Sequence, residues 1–157
     1  MKLNIGGGEP AYIPRLDRLD IPPASCFESL DAFHSVLLHE AGHASGHMKR
    51  LARFGLESFG PMERAREELI AELASVYTGQ LLGLPPPESL LQGHAAYVAS
   101  WLTLLKGDKG EIFRAAAQAQ KVADYLGQWM PEADLANLHE AKAVEMAQVR
   151  TVSKIHM

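Results

Sequence analysis

The chain has 157 residues, of which 47% are hydrophobic and 22% charged, with one cysteine and seven histidines. This composition predicts one compact soluble domain and excludes a disordered chain or a disulfide scaffold. Because 15 Lys and Arg stand against 19 Asp and Glu, for a net charge of −4, a phosphate backbone would find little electrostatic attraction, and we expect no nucleic-acid partner.

The cysteine content and the N-terminal sequence indicate the cellular compartment. Cys26 is the single cysteine and cannot form an internal bridge, and the N-terminus lacks the apolar stretch of a secretory signal. We therefore expect a cytoplasmic protein. The most apolar segment, residues 95–105, is interrupted by Ser100 and Thr103 and is shorter than the roughly 20 residues that a membrane span needs, so no membrane partner is expected.

The first 27 residues contain prolines and a glycine triplet, which predicts extended chain and turns with short strands near 3–5 and 11–13. The segment Ser25-Cys26-Phe27-Glu28 has the form of a capping box and predicts a first helix over about 27–47. Its apolar residues recur at helical spacing and predict one buried face, made of Leu30, Phe33, Leu37, Leu38, Ala41 and Ala44.

Prolines and glycines at sites where helices start or end predict four further helices, at about 61–82, 89–106, 111–125 and 131–150. No repeat or composition shift divides the chain. The predicted fold class is α+β and mostly α, with a small N-terminal β element and about five helices. We expect a single domain over 1–157, extended over 1–27 and helical over 27–150.

The first predicted helix contains the motif His39-Glu40-Ala41-Gly42-His43. A spacing of four residues places both imidazoles on one helix face, where they can form half of a tetrahedral zinc site. Glu40 follows the first histidine and is turned aside from the ligands, as is the general base that acts on a metal-activated water in His-Glu-x-x-His peptidases. The motif therefore predicts a Zn²⁺ site at His39 and His43, with Glu40 as the catalytic base.

A catalytic zinc needs a third protein ligand, and the second predicted helix offers Glu68 and Glu72 at four-residue spacing on one face. This order of motifs resembles the gluzincin arrangement. The resemblance implies that Glu68 binds the metal and that Glu72 hydrogen-bonds a ligand histidine. Glu67 is interpreted as a solvated neighbour, with an exchange of the roles of Glu67 and Glu68 as the alternative.

A wider resemblance covers residues from about 12 to about 125. The chain is similar to the zincin domain of ArdC-type antirestriction and polyvalent proteins in Asp20-Ile21-Pro22-Pro23, Phe27, His39-Glu40-x-x-His43-x-x-Gly46-His47, Arg50-Leu51, Glu67-Glu68-Leu69-Ile70-Ala71-Glu72-Leu73 and Ala95-x-Tyr97-x-x-x-Trp101. The resemblance implies a zinc metallopeptidase fold used by plasmids and phages during DNA transfer. Longer members carry an N-terminal single-stranded DNA-binding domain, which we expect this chain to lack.

Two places depart from the family pattern. An aromatic residue often follows the second ligand histidine and a tyrosine pair often precedes the motif, whereas this chain has Ala44 and Phe33-His34 there. Neither departure removes a ligand.

Three further residues are candidates for the site. His47 continues the four-residue series, but we interpret it as a structural or capping residue at the helix end. His94 and Tyr97 share a helix face with Trp101, and the gluzincin resemblance makes either one a candidate donor to the oxyanion. The alternative is that Tyr97 and Trp101 are core aromatics.

These patterns predict a zinc-dependent metallopeptidase whose partner is a protein or peptide substrate. The alternative is a non-catalytic, metal-stabilised binding module that masks a restriction or defence protein. Arg50 and Arg53 are interpreted as part of a solvated connector over residues 48–60, although either could hold a substrate carboxylate or pair with Glu67.

Overall fold

A small sheet precedes the helices in chain order. The computed structural model describes residues 1–6, 8–53, 60–84 and 95–129, and for residues 95–100 the backbone alone. Its elements are β1 (Lys2–Ile5), β2 (Ala11–Ile13), β3 (Arg18–Ile21), α1 (Leu30–Ser45), α2 (Pro61–Leu81), α3 (Ala95–Gly107) and α4 (Glu111–Gly127). The mostly helical α+β class is confirmed. The predicted helix at 131–150 and the predicted start of the third helix lie outside the described residues.

The sheet has the strand order β1-β3-β2. Strand β3 pairs in parallel with β1 and antiparallel with β2, so that Tyr12 lies opposite Leu19. The sequence interpretation missed β3, because a four-residue alternation is too short to stand out among turns. Its inward side chains, Leu19 and Ile21, are fully buried and form the base on which α1 packs.

Helix α1 begins later than the capping box predicts. The side chain of Ser29 accepts a hydrogen bond from Ala32 N and caps the helix, whereas Ser25 lies in a short 3-10 helix. The capping-box prediction is therefore wrong. The predicted apolar face packs on the sheet through Phe33, Leu37, Ala41 and Ala44, but Leu30 in the first turn is exposed.

Helix α2 has the bounds that its flanking proline and glycine predict, with Pro61 in the first turn and Gly83 just after the end. Gly83 has a φ of 73°, which favours glycine. The helix forms a second core with α3 and α4, composed of Leu69, Ile70, Ala74, Leu104, Ala115, Ala119 and Val122. Within the described ranges, no helix has the length and apolar character needed to cross a membrane.

Helices α1 and α2 approach closely at Gly42. A Cβ atom added there would lie 3.2 Å from Ala71 Cα and 3.4 Å from Ala71 O, which is tighter than ordinary van der Waals contact. The glycine inside the His-Glu-x-x-His motif is therefore what allows α2 to bring its glutamates up to the imidazoles of α1.

Candidate metal centre

Three ligand atoms from α1 and α2 converge. His39 Nε2 lies 3.1 Å from His43 Nε2, and Glu68 Oε2 lies 3.5 Å from the first and 3.6 Å from the second. Tetrahedral coordination with bonds of about 2.05 Å separates ligand atoms by about 3.3 Å. Within the described residues, His39, His43 and Glu68 are the group able to hold a metal ion, and their spacing fits one.

Each imidazole also faces a carboxylate on its other nitrogen. Glu72 Oε2 lies 3.1 Å from His39 Nδ1, and Glu67 Oε1 lies 3.4 Å from His43 Nδ1. A carboxylate beside Nδ1 favours the tautomer in which Nδ1 carries the proton and Nε2 has the free lone pair. The two rings are thus oriented with their Nε2 atoms toward a common point.

Glu67 is not the solvated neighbour that the sequence suggests. Its side chain is 10% exposed and pairs with Arg53, whose side chain is 7% exposed. Arg53 Nη2 donates to Glu67 Oε1 at 2.7 Å, and Arg53 Nε donates to Oε2 at 3.2 Å. The sequence indicates solvated positions for both residues because their burial depends on a tertiary contact between Arg53 and α2. The alternative pairing of Arg53 with Glu67 is the one observed.

Arg53 also fastens the connector to α1. Its Nη2 donates to Gly42 O at 2.7 Å and its Nη1 to Ser45 Oγ at 2.8 Å. One guanidinium therefore joins the last turns of the metal-binding helix to the carboxylate beside His43.

The charges around the imidazoles favour a cation. Burial acts to lower the pKa of His39, but hydrogen bonds with Glu68 and Glu72 outweigh it and raise the pKa to about 10. The pKa of His43 is also raised, against its burial, by Glu67 and Glu68. Burial acts to raise the pKa of Glu68, yet the two histidines lower it to about 2. Without a metal, the cluster retains a proton at neutral pH, so positive charge is stabilised at this point.

Glu40 lies beside this cluster and is held by the sheet. Its Oε2 accepts a hydrogen bond of 2.7 Å from Tyr12 N in strand β2, and its charge contributes to the raised pKa of His39. The sequence interpretation did not include Tyr12. A backbone donor leaves no trace in residue type, so only the fold could identify this contact.

The structure describes the side chains of only some of the remaining candidate residues. His47 lies beyond the end of α1, where its Nδ1 accepts a hydrogen bond from Lys49 N, as a structural residue would. Trp101 packs against the helical core. Tyr97 belongs to α3, but its side chain and all of His94 lie outside the described residues, so their role as oxyanion donors stays a prediction.

Comparison with known proteins identifies the family. A family model described as a zincin-like metallopeptidase, MPTase-PolyVal, matches residues 1–118. The DNA primase TraC of Escherichia coli is 41% identical over 120 residues, which are 76% of this chain and 8% of TraC. The uncharacterized protein y4eC of Sinorhizobium fredii is 40% identical over 121 residues, which are 77% of this chain and 39% of y4eC.

The fold has a counterpart among crystal structures. The Mn(II)-bound antirestriction protein ArdC of plasmid R388 superposes with a TM-score of 0.70 at 39% identity, covering 87% of this chain and 48% of ArdC. Its metal-free structure gives a TM-score of 0.69. The chain spans less than half the length of each of these relatives. As the motif resemblance predicted, the chain belongs to the MPTase-PolyVal family of zincin-like metallopeptidase domains.

Proposed function

We propose that this domain is a zinc-dependent peptidase. The observation that carries the proposal is the convergence of His39 Nε2, His43 Nε2 and Glu68 Oε2 beside a glutamate that is oriented by a backbone donor. Two neutral imidazoles and one carboxylate form the ligand set of catalytic zinc in several peptidases, in which a fourth position is open.

A divalent ion held by these residues would lower the pKa of a water molecule and polarise a peptide carbonyl. The chain's own groups supply the proton transfers. Glu40 takes the proton from the attacking water and later delivers it to the leaving amine. Its Oε2 is engaged by Tyr12 N, so Oε1 is the oxygen assigned to this transfer. Glu72 and Glu67 keep the two imidazoles in the tautomer that binds metal, and Tyr97 or His94 donates to the oxyanion.

We propose Zn²⁺ as the working metal. The crystallised relative ArdC holds Mn(II), but a site with two imidazoles and one carboxylate binds zinc more tightly than manganese. Competition measured with the purified protein should show Zn²⁺ displacing Mn²⁺ at equal concentration. Glu68→Ala should sharply lower the affinity for both ions, because it removes the only proposed ligand from α2. Displacement of Zn²⁺ by equal Mn²⁺ would contradict this assignment.

The substrate class that we propose is a protein, specifically a host defence protein encountered during plasmid or phage DNA transfer. Support comes from the similarity to ArdC, which is named an antirestriction protein. The second candidate function is a binding module that masks such a protein without cleaving it. One observation favours this candidate: the ligand set joins α1 to α2, so a bound metal would stabilise the fold even without hydrolysis.

Substitution of the base distinguishes the two functions. Glu40→Gln keeps the side-chain volume and removes no metal ligand, so both proteins should contain stoichiometric metal. Peptide hydrolysis should fall by about 10²- to 10⁴-fold in the variant if Glu40 is the general base. Glu28→Gln, at an exposed position before α1, is the matched control. Equal hydrolysis by the parent and Glu40→Gln would contradict the mechanism, and metal retention without any hydrolysis in the parent would favour the binding module.

A further inference from the structure

Tyr12 connects the proposed general base to a polar cluster formed by Asp17 and Arg50. Its backbone N–H donates to Glu40 Oε2, while its hydroxyl donates to Asp17 Oδ1 and accepts from Arg50 Nη2, both at 2.9 Å. Burial and the hydrogen bond with Asp17 raise the pKa of Tyr12 to about 12. The hydroxyl therefore remains a donor throughout the neutral range.

Arg50 closes the cluster onto the metal-binding helix. Its Nη2 and Nη1 atoms donate to the two carboxylate oxygens of Asp17 at 2.5 and 3.2 Å, and its Nε donates to Ala44 O at 2.6 Å. Ala44 is four residues after Glu40 and thus about one helical turn away. The contacts form a closed ring from Glu40 through Tyr12 and Arg50 back to the same helix.

The ring adds polar contacts to the pairing of β2 with β3 and to the packing of the Tyr12 side chain against α1. The strand has three residues and lies at the edge of the sheet. A short edge strand is paired on one side only, so its distance from a neighbouring helix depends on side-chain contacts. That distance sets the length of the hydrogen bond from Tyr12 N to Glu40.

We propose that Arg50, with Asp17 and the Tyr12 hydroxyl, is a positioning group for the general base. It holds β2 at the separation from α1 at which Tyr12 N fixes Glu40 Oε2 and leaves Oε1 for proton transfer. This inference rests on the proposed role of Glu40. The hydrogen bond itself exists independently of catalysis, so the positioning can be measured even in a protein that does not cleave peptides.

Kinetics on the metal-loaded protein give the first test. Arg50→Met and the milder Tyr12→Phe should lower kcat with KM and metal content unchanged, and Arg50→Met should cost about 10- to 100-fold, as expected for misplacement of a catalytic group. In a Glu40→Gln background the same substitutions should have no further effect on kcat, because they act through Glu40. Additive losses would show a structural role alone and overturn the proposal. Arg18→Met, which breaks the Arg18–Asp20 pair in the same sheet, is the control and should keep parental kcat.

The amide signal of Tyr12 gives a test that does not need activity. In the parent, Glu40→Gln should move the Tyr12 amide proton upfield, because the charge-assisted hydrogen bond is lost. With Arg50→Met or Tyr12→Phe already present, Glu40→Gln should produce a much smaller shift. If Glu40→Gln moved the Tyr12 amide proton as far in both variants as in the parent, the positioning role would be overturned, whether or not the protein is a peptidase. An inactive parent with the expected shifts would refute the proposed function and leave the positioning role standing.

Discussion

Arg50 and Arg53 lie three residues apart in one connector and both donate to carbonyl oxygens in the last turns of α1, yet they join different neighbours to that helix. Arg50 reaches Ala44 O and connects it to the sheet through Asp17 and Tyr12. Arg53 reaches Gly42 O and connects it to α2 through Glu67. On the sheet side, the contacts of Arg50 orient the proposed base. On the α2 side, the contacts of Arg53 orient a proposed metal ligand. Substitutions should therefore affect the base and the ligand separately.

The largest expected effect is on stability at the α2 side. Arg53→Met would leave the buried Glu67 carboxylate without its guanidinium partner and, among the described residues, with His43 alone beside it. Breaking a buried pair costs about 3–5 kcal/mol of unfolding free energy. Urea denaturation of the metal-free protein measures it. Replacing Glu67 together with Arg53 by apolar residues should recover most of the loss, and a cost below about 1 kcal/mol for Arg53→Met would show that water reaches the carboxylate.

A smaller loss is expected at the sheet side. Arg50→Met removes hydrogen bonds to a charged partner, worth about 1.5–3 kcal/mol, but the Asp17 side chain is 23% exposed and water can replace part of the loss. In the same denaturation experiment, the unfolding free energy of Arg50→Met should therefore lie between those of the parent and Arg53→Met. The reverse order of the two variants would invalidate the comparison.

Substitutions of the two arginines should also differ in their effect on metal affinity. Arg53 fixes the carboxylate beside His43, and loss of a group that orients a ligand lowers affinity by about 10- to 100-fold. Arg50 contacts neither histidine nor their carboxylates, so Arg50→Met should bind Zn²⁺ like the parent. Titration against a competing chelator measures both variants. Equal weakening by the two substitutions would mean that the sheet also holds the ligands.

The smallest effect is the pH dependence of stability that Asp17 contributes on the sheet side. Hydrogen bonds from Arg50 hold the pKa of Asp17 well below its usual range. A carboxyl with a depressed folded pKa stabilises the protein above its unfolded pKa of about 3.9, and that contribution is lost as the pH falls below this value. The difference in unfolding free energy between the parent and Asp17→Asn should therefore shrink from pH 5 toward pH 2. Parallel curves would show that Asp17 has an ordinary pKa.

Local spacing accounts for what the sequence predicted well. The bounds of α2 follow from Pro61 and Gly83, and the shared face of His39 and His43 follows from the helical period alone. The predicted start of α1 is wrong because Ser25 and Ser29 both offer an N-cap hydroxyl. Only the geometry of the preceding chain selects Ser29.

The errors at the site have a common cause. Glu67 and Arg53 look like surface charges, and their burial arises from a contact between the connector and α2 that no local pattern encodes. The contact of Tyr12 N with Glu40 likewise depends on how the sheet packs on α1. The structure thus brings together the ligands proposed from sequence and places Glu72 beside His39. The contacts of Arg53, Glu67 and Tyr12 N were identified only from the tertiary structure.

Gly42 gives the motif a requirement beyond its histidines and glutamate. Because a methyl group there would press on the Ala71 backbone, a larger residue would move α2 outward and take Glu68 away from both imidazoles at once. The two unspecified positions of His-Glu-x-x-His are therefore unequal in this chain. Ala41 faces the sheet, whereas Gly42 sets the separation of α1 and α2 at the point where Glu68 meets the two imidazoles.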